Sequence, residues 1–165
     1  MLPIILTPEN SRIGLAGHGD AYQRRSALLT GAGIDPVLIA PGGDLSGLKI
    51  LFVAGLPAAE AEALALRARR IGILVNTEDM PALCDFHVPA IVRRGDLLFS
   101  VSTRGRAPGL ARRLREWLEE HFGPEWQERS AELGAARERW RGEGVAAGDI
   151  ADRTRTIIAE KGWLQ

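Results

Sequence analysis

The chain opens as an alternation of short apolar runs and amphipathic stretches. Residues 12–16 (RIGLA) predict a buried strand that ends in the glycine turn Gly17-His18-Gly19. Residues 20–30 carry Ala21, Leu28 and Leu29 on one flank and Gln23 to Ser26 on the other, the pattern of a helix stopped by Gly31 and Gly33. Residues 37–40 (VLIA) predict a second strand, halted by Pro41-Gly42-Gly43, and residues 49–54 (KILFVA) a third. The third shows no polar alternation, as expected of a parallel strand covered on both faces. Residues 58–70 are rich in Ala, Leu and Glu and end in arginines that suit a helix C-terminus. Residues 71–76 (IGILVN) predict a fourth strand. This order predicts an α/β fold, a doubly wound, Rossmann-like parallel sheet.

Beyond Pro81 the texture changes. Residues 86–92 (FHVPAIV) and 96–103 (DLLFSVST) predict two more strands, split by a turn at Arg93-Arg94-Gly95. Residues 108–122 form a periodic helix with Leu110, Leu114, Trp117 and Leu118 on one face. Residues 125–141 and 149–162 predict two further helices, separated by Gly142-Glu143-Gly144. A small α+β region followed by a helical region is therefore expected after the sheet, and no internal repeat is visible.

Composition narrows the class. With 165 residues, 45% hydrophobic and 25% charged, the chain has the apolar content of a packed core, which excludes disorder. Its 21 basic residues balance 21 acidic ones, against a generally basic nucleic-acid or membrane-surface protein. The one cysteine, Cys84, excludes an intrachain disulfide framework and a Cys-rich metal site, and it is expected to pack. No run reaches the ~18 apolar residues a membrane span needs, and the N-terminus lacks a basic signal-peptide start, so a cytoplasmic protein is expected.

Four places carry candidate chemistry. Gly17-His18-Gly19 lies where a dinucleotide pyrophosphate would meet backbone N–H groups at a helix N-terminus, although the third small residue of a GxGxxG pattern is Tyr22 and no acid closes the second strand. The alternative is a purely structural turn. Asn76-Thr77-Glu78-Asp79 follows a strand's carboxyl end, where two carboxylates suit acid–base work or metal capture, or serve only as an acidic N-cap or solvated turn. Ser102-Thr103-Arg104-Gly105-Arg106 precedes a helix and suits an anion, or simply caps that helix. Arg112, Arg113 and Arg115 read as a solvent face. His87 is expected to be a hydrogen-bonded packing residue and His121 to answer a helix dipole.

Taken in order, these segments resemble one family, the precorrin-2 dehydrogenase/sirohydrochlorin ferrochelatase module of siroheme synthases. Leu2-Pro3-Ile4 matches its LPI-like opening, and Gly17-His18-Gly19-Asp20-Ala21-Tyr22-Gln23-Arg24-Arg25 its GGGxVAxRK turn and helix. Leu38-Ile39-Ala40-Pro41 and Asn76-Thr77-Glu78-Asp79-Met80-Pro81 match its VVAP strand end and NxxDxP loop. The longest match runs from Phe86 through Ser102-Thr103-Arg104-Gly105-Arg106-Ala107-Pro108 to Leu110-Ala111-Arg112. Three departures fall on the cofactor side: His18 and Tyr22 replace small residues, and the usual Ala-Thr-Asp-Asp loop is here Ala54-Gly55-Leu56-Pro57. The fourth is a deletion of about twenty residues between Pro41 and Leu48.

The resemblance implies a homodimer with a Rossmann-like NAD-binding domain (1–80), a dimerisation region (81–118) and a C-terminal helical region (119–165). It implies NAD-dependent oxidation of precorrin-2 to sirohydrochlorin, with ferrous iron insertion in some members and Asp79 as acid/base. Gly17, His18, Gly19, Asp20, Ala21, Pro41, Gly42, Ala54 and Gly55 would touch the cofactor. Asn76, Ser102, Thr103, Arg104, Arg106 and Arg112 would bind the carboxylate-rich tetrapyrrole, with no resident metal. Thr103 stands where some members carry a phosphorylatable serine. The alternative is a cofactor-free relative that binds a tetrapyrrole or metal without redox chemistry.

Overall fold

The computed structural model describes residues 2–164. The chain forms two compact units, Met1–His87 and Val88–Gln165. The first contains β1 (Ile13–Gly17), α1 (Gly19–Thr30), β2 (Val37–Ile39), β3 (Ile50–Ala54), α2 (Ala58–Arg70) and β4 (Leu74–Thr77). The four strands form one parallel sheet in the order β2-β1-β3-β4. Between β1 and β3 the order reverses direction, which makes this the switch point of a doubly wound sheet.

The apolar runs become the centre of the sheet because both of its faces are covered. Every residue of β3 is buried, with Leu15, Leu51, Val53 and Val75 fully enclosed. Ala61, Ala65 and Ala68 of α2, all at 0% exposure, repeat at helical spacing and let the helix approach Leu51, Val53 and Val75 closely. Enlarging one of them would overpack this contact, at about 1–3 kcal/mol.

Helix ends follow a repeated device. Gly33, Gly72, Gly144 and Gly162 all take positive φ, and the next residue donates its N–H to a carbonyl in the last helical turn. These bonds are Ile34 to Leu29, Ile73 to Ala68, Val145 to Trp140 and Trp163 to Ile158, at 3.0–3.1 Å. A glycine followed by an apolar residue thus closes four of the five helices with the six-to-one bond of a Schellman cap.

The connection from β2 to β3 is unusual. Parallel strands ordinarily need a crossover of a dozen or more residues, commonly a helix. Here residues 40–49 make the return without one. Gly43 N–H closes a turn onto Ala40, and the Asp44 carboxylate accepts from Ser46 N–H (2.9 Å) and Oγ (2.6 Å). Leu45 and Leu48 then sink into the α2-side core. β2 is left as a three-residue edge strand with Leu38 67% exposed.

The second unit starts with the antiparallel hairpin β5 (Ala90–Arg94) and β6 (Leu97–Val101), followed by α3 (Pro108–His121), α4 (Trp126–Gly142) and α5 (Ala147–Glu160). The expected turn at Arg93-Arg94-Gly95 is displaced: both arginines belong to β5, and Gly95-Asp96 alone connect the strands. Glycine at the first of two linking positions, with positive φ, is what a two-residue hairpin turn of the II′ kind requires. The gain is functional for the fold, because Arg94 in the strand donates to the carbonyls of Phe122 (2.7 Å) and Glu119 (3.3 Å), capping the end of α3. Phe99, Phe122, Trp126 and Trp163 stack in sequence, and the Arg129 guanidinium lies over both tryptophans. The α3 face carrying Leu110, Leu114 and Trp117 is exposed in the chain. No helix among the described residues is long and apolar enough to cross a membrane.

Candidate functional site

At the carboxyl ends of β1 and β2 lies a cleft of about 400 Å³, within the ordinary range for small-molecule sites. Gly17 and His18 line it from the first turn, Ile39, Ala40, Pro41 and Gly42 from the second strand end, and Glu60, Leu64 and Arg67 from α2. Four of the expected cofactor residues, Gly17, His18, Pro41 and Gly42, therefore share one cavity. Gly19, Asp20 and Ala21 form the first turn of α1. No side chain caps that turn, so its N–H groups remain free for an anion, although the Asp20 carboxylate sits among them.

Ala54 and Gly55 do not line the cleft; they hold it in shape. His18 N–H donates to the Ala54 carbonyl at 3.2 Å. A Cβ on Gly17 would lie 1.7 Å from Ala54 O, and one on Gly55 would lie 2.0 Å from His18 O. Both glycines also have positive φ. The loops after β1 and β3 thus interlock backbone to backbone, and glycine is the residue that permits it.

The α2 contribution was not singled out from sequence. Glu60, Ala63, Leu64 and Arg67 follow the i, i+3, i+4, i+7 rule, so helical periodicity marks them as one face. The Arg67 guanidinium is anchored on the Gly43 carbonyl at 2.7 Å, just past the end of β2.

A second group of residues gathers at the end of β4. Glu78 N–H still donates to Val53 O at 2.9 Å, extending the sheet ladder by one residue. Asp79 then turns out with φ 59°, a left-handed conformation that Asp tolerates better than most residues, and its side chain is exposed. Met80 N–H closes the turn on Thr77 O. Glu78 is held by Arg24 at 3.0 Å and Arg25 at 3.8 Å. Arg25 is largely buried over the Phe52 ring, and that burial lowers its proton affinity while Glu78, then Cys84 and Asp79, raise it. Asn76 is buried, with Nδ2 donating to Phe86 O at 2.9 Å, and its Oδ1 finds no partner among the described residues.

Cys84 does more than pack. Its Sγ accepts from Thr77 N–H (3.3 Å) and donates toward Thr77 O (3.1 Å), while Asp85 Oδ2 accepts from Val75 N–H (2.8 Å). These side chains stand in for the next strand along the free edge of β4, and Arg69 secures Asp85 at 2.9 Å. His87, expected to be packed, is exposed.

In the second unit, Ser102 Oγ accepts from Arg104 N–H and Thr103 Oγ1 from Ala107 N–H, so both hydroxyls shape the approach to α3. Arg104 has φ 57°, and Arg104 and Arg106 are exposed. Arg112 pairs with Glu116 at 3.0 Å on the solvent side. His121 Nδ1 meets the Trp117 carbonyl at 2.8 Å, answering the end of α3 as expected. No group of three or more His, Cys, Asp or Glu suited to a metal occurs among the described residues.

The parallel sheet, with a cleft at its carboxyl edge, defines a doubly wound, Rossmann-like α/β protein. A family model described as putative NAD(P)-binding matches residues 42–90, from the end of β2 to the start of β5. Siroheme synthase of Methylococcus capsulatus is 34% identical over 141 positions, covering 72% of this chain and 30% of the relative. Siroheme synthase 1 of Aeromonas salmonicida is 30% identical, covering 97% of this chain and 44% of the relative. The chain thus spans less than half the length of these curated relatives. A solved structure titled SirC, precorrin-2 dehydrogenase, shares the fold with a TM-score of 0.77 at 19% identity, over 100% of this chain and 93% of that one. The chain belongs to the siroheme synthase family, part of whose length it spans. Across the 141 positions of the Methylococcus alignment 72% of the 165 residues are matched, so about twenty positions of that relative have no counterpart here.

Proposed function

We propose that this chain oxidises precorrin-2 to sirohydrochlorin with a nicotinamide dinucleotide, NAD, and that Asp79 is its acid/base. The observation that carries the reading is Asp79 itself: an exposed carboxylate without an ion-pair partner among the described residues, presented in a left-handed turn at the carboxyl end of a strand. Held near a reacting carbon, such a carboxylate accepts the proton released when the macrocycle loses two hydrogens.

The cleft suits the nucleotide. Its apolar walls at Ile39, Leu56 and Leu64 fit a nucleoside, Arg67 and Glu60 supply polar contacts, and the uncapped start of α1 offers N–H groups to a phosphate. The bound nicotinamide would accept the hydride, giving sirohydrochlorin, reduced nicotinamide and one proton on the base. Arg104 and Arg106 would meet carboxylates of the tetrapyrrole, with Ser102, Thr103 and Arg112 beside them in the second unit. Residues 81–118 would form a dimerisation region in which a second copy covers Leu110, Leu114 and Trp117. Insertion of ferrous iron, as substrate, would use the same aspartate to accept pyrrole protons.

A second reading is favoured by the shortened nucleotide half together with Asp20 in the first turn of α1: a relative that binds the tetrapyrrole without redox chemistry. Anaerobic turnover of precorrin-2, with and without NAD, separates the two. Sirohydrochlorin forming only with NAD, and falling by at least about 100-fold in Asp79→Ala, is the expected result. Absence of product from folded protein that still binds sirohydrochlorin would overturn the dehydrogenase in favour of the binding protein.

A further inference from the structure

Resting on the reading of Asp79 as the acid/base, we propose that Glu78 is a positioning residue. Its carboxylate, gripped by Arg24 and Arg25, fixes the turn that presents Asp79 and balances the charge beside it.

The geometry carries the idea. Glu78 is the last residue bonded into the sheet, through its N–H to Val53 O, and Asp79 is the first to leave it. A residue held in the left-handed region persists only where its surroundings constrain it. Here Met80 N–H closes the turn on Thr77 O, and within it the Glu78 side chain reaches two consecutive arginines of α1. Arg24, which makes the 3.0 Å bond, is 64% exposed, but the Arg25 and Glu78 side chains are only 14% and 16% exposed. Arg25 is itself fixed by Phe52, 5.2 Å from its guanidinium carbon, and Phe52 by the edge-on ring of Phe86 at 5.4 Å. Glu78 Oε2 is buried with no hydrogen-bond donor, so Arg25 at 3.8 Å serves as its counter-charge.

The link has a direction. α1 begins at the glycine turn that lines the cleft, and its second turn holds the loop of the acid/base. One rigid helix thus joins the nucleotide side of the sheet to the proton-transfer side. The charged and titratable groups around this loop are Arg24 and Arg25 from α1, Glu78 and Asp79 from the loop, and Cys84 from the following turn.

The test is steady-state turnover of precorrin-2 across pH by Glu78→Gln and Arg25→Met, beside wild type and Asp79→Ala, with folding checked by circular dichroism. Glu78→Gln removes a negative charge from the loop and leaves its two cations unpaired. Its kcat should fall about tenfold with KM for NAD unchanged, and the acid limb of its kcat profile should move to lower pH. Arg25→Met removes a cation and should move that limb to higher pH, with Arg25→Lys restoring the wild-type profile. A role in folding alone would not shift the two limbs in opposite directions. Wild-type kcat and profile in both variants, with Asp79→Ala inactive, would overturn the positioning role and leave the acid/base in place. Full activity in Asp79→Ala would instead remove the acid/base reading and the positioning role with it. Should Glu78→Gln fail to fold, Arg24→Gln and Arg25→Met keep the carboxylate, and an unmoved limb in both would overturn the proposal.

Discussion

The loops at the two sides of the sheet are built on different physics. Those after β1 and β3 are locked by main chain against main chain, with Gly17 and Gly55 at distances no side chain could share. The loop after β4 is held by side chains: Arg24 and Arg25 on Glu78, with Cys84 and Asp85 along the strand edge. Backbone interlocking is indifferent to pH and salt, whereas ion pairs respond to both. The cleft is therefore a rigid fixture, and the acid loop is the adjustable part.

The largest test of this contrast is Gly17→Ala. Its methyl group would overlap Ala54 O, so unfolding free energy should fall by more than about 3 kcal/mol, read from a denaturant melt. A wild-type melt would show that the interlock is soft. Asp85→Ala should cost less, about 1–3 kcal/mol, because it strips Val75 N–H of its acceptor and Arg69 of its partner. Asp79→Gly should move stability the other way: relief of the left-handed strain raises the melting temperature by about 2 °C while turnover is lost.

The smallest effect is expected on acidification. Hydrogen bonds from Ser46 hold the Asp44 carboxyl below its ordinary value, as the bond from Arg112 does for Glu116. A group depressed on folding stabilises the native state above its unfolded value and loses that contribution as pH falls through the lower folded value. Stability should thus decline slightly below about pH 4, and Ser46→Ala should flatten its share of the slope. Asp44 is exposed and Glu116 half-buried at the surface, so a steep loss there would point to other groups.

The elements were largely legible. α2 occupies Ala58–Arg70 as read, since Ala-rich periodicity, Pro57 and Gly72 bound it on both sides. β4 starts only at Leu74, because Ile71 to Ile73 are consumed by the helix cap, which needs Gly72 at positive φ. The site was legible in part. Gly17, His18, Pro41 and Gly42 converge as their positions at strand ends foretell. Arg67 and Glu60 lie on a helix that Ala-rich propensity marks, and propensity does not say which face meets the cleft. The role of Cys84 is not legible in composition, because bonding a strand edge depends on register. The Glu78 clamp was hidden for the same reason, its partners lying 54 residues away in Arg24.

The helix-free return between β2 and β3 bears on how the fold assembles. β1 and β3 share the longest run of paired residues in the sheet, yet Ile13 and Ile50 must find each other across the intervening chain. Loop-closure entropy grows only logarithmically with length, so a relative about twenty residues longer would pay less than about 0.5 kcal/mol more to form that pairing. Shortening the excursion therefore barely alters the nucleation barrier for the central strands. Its effect falls on β2, the three-residue strand that the short return follows, which can be expected to dock late and exchange its amide protons first.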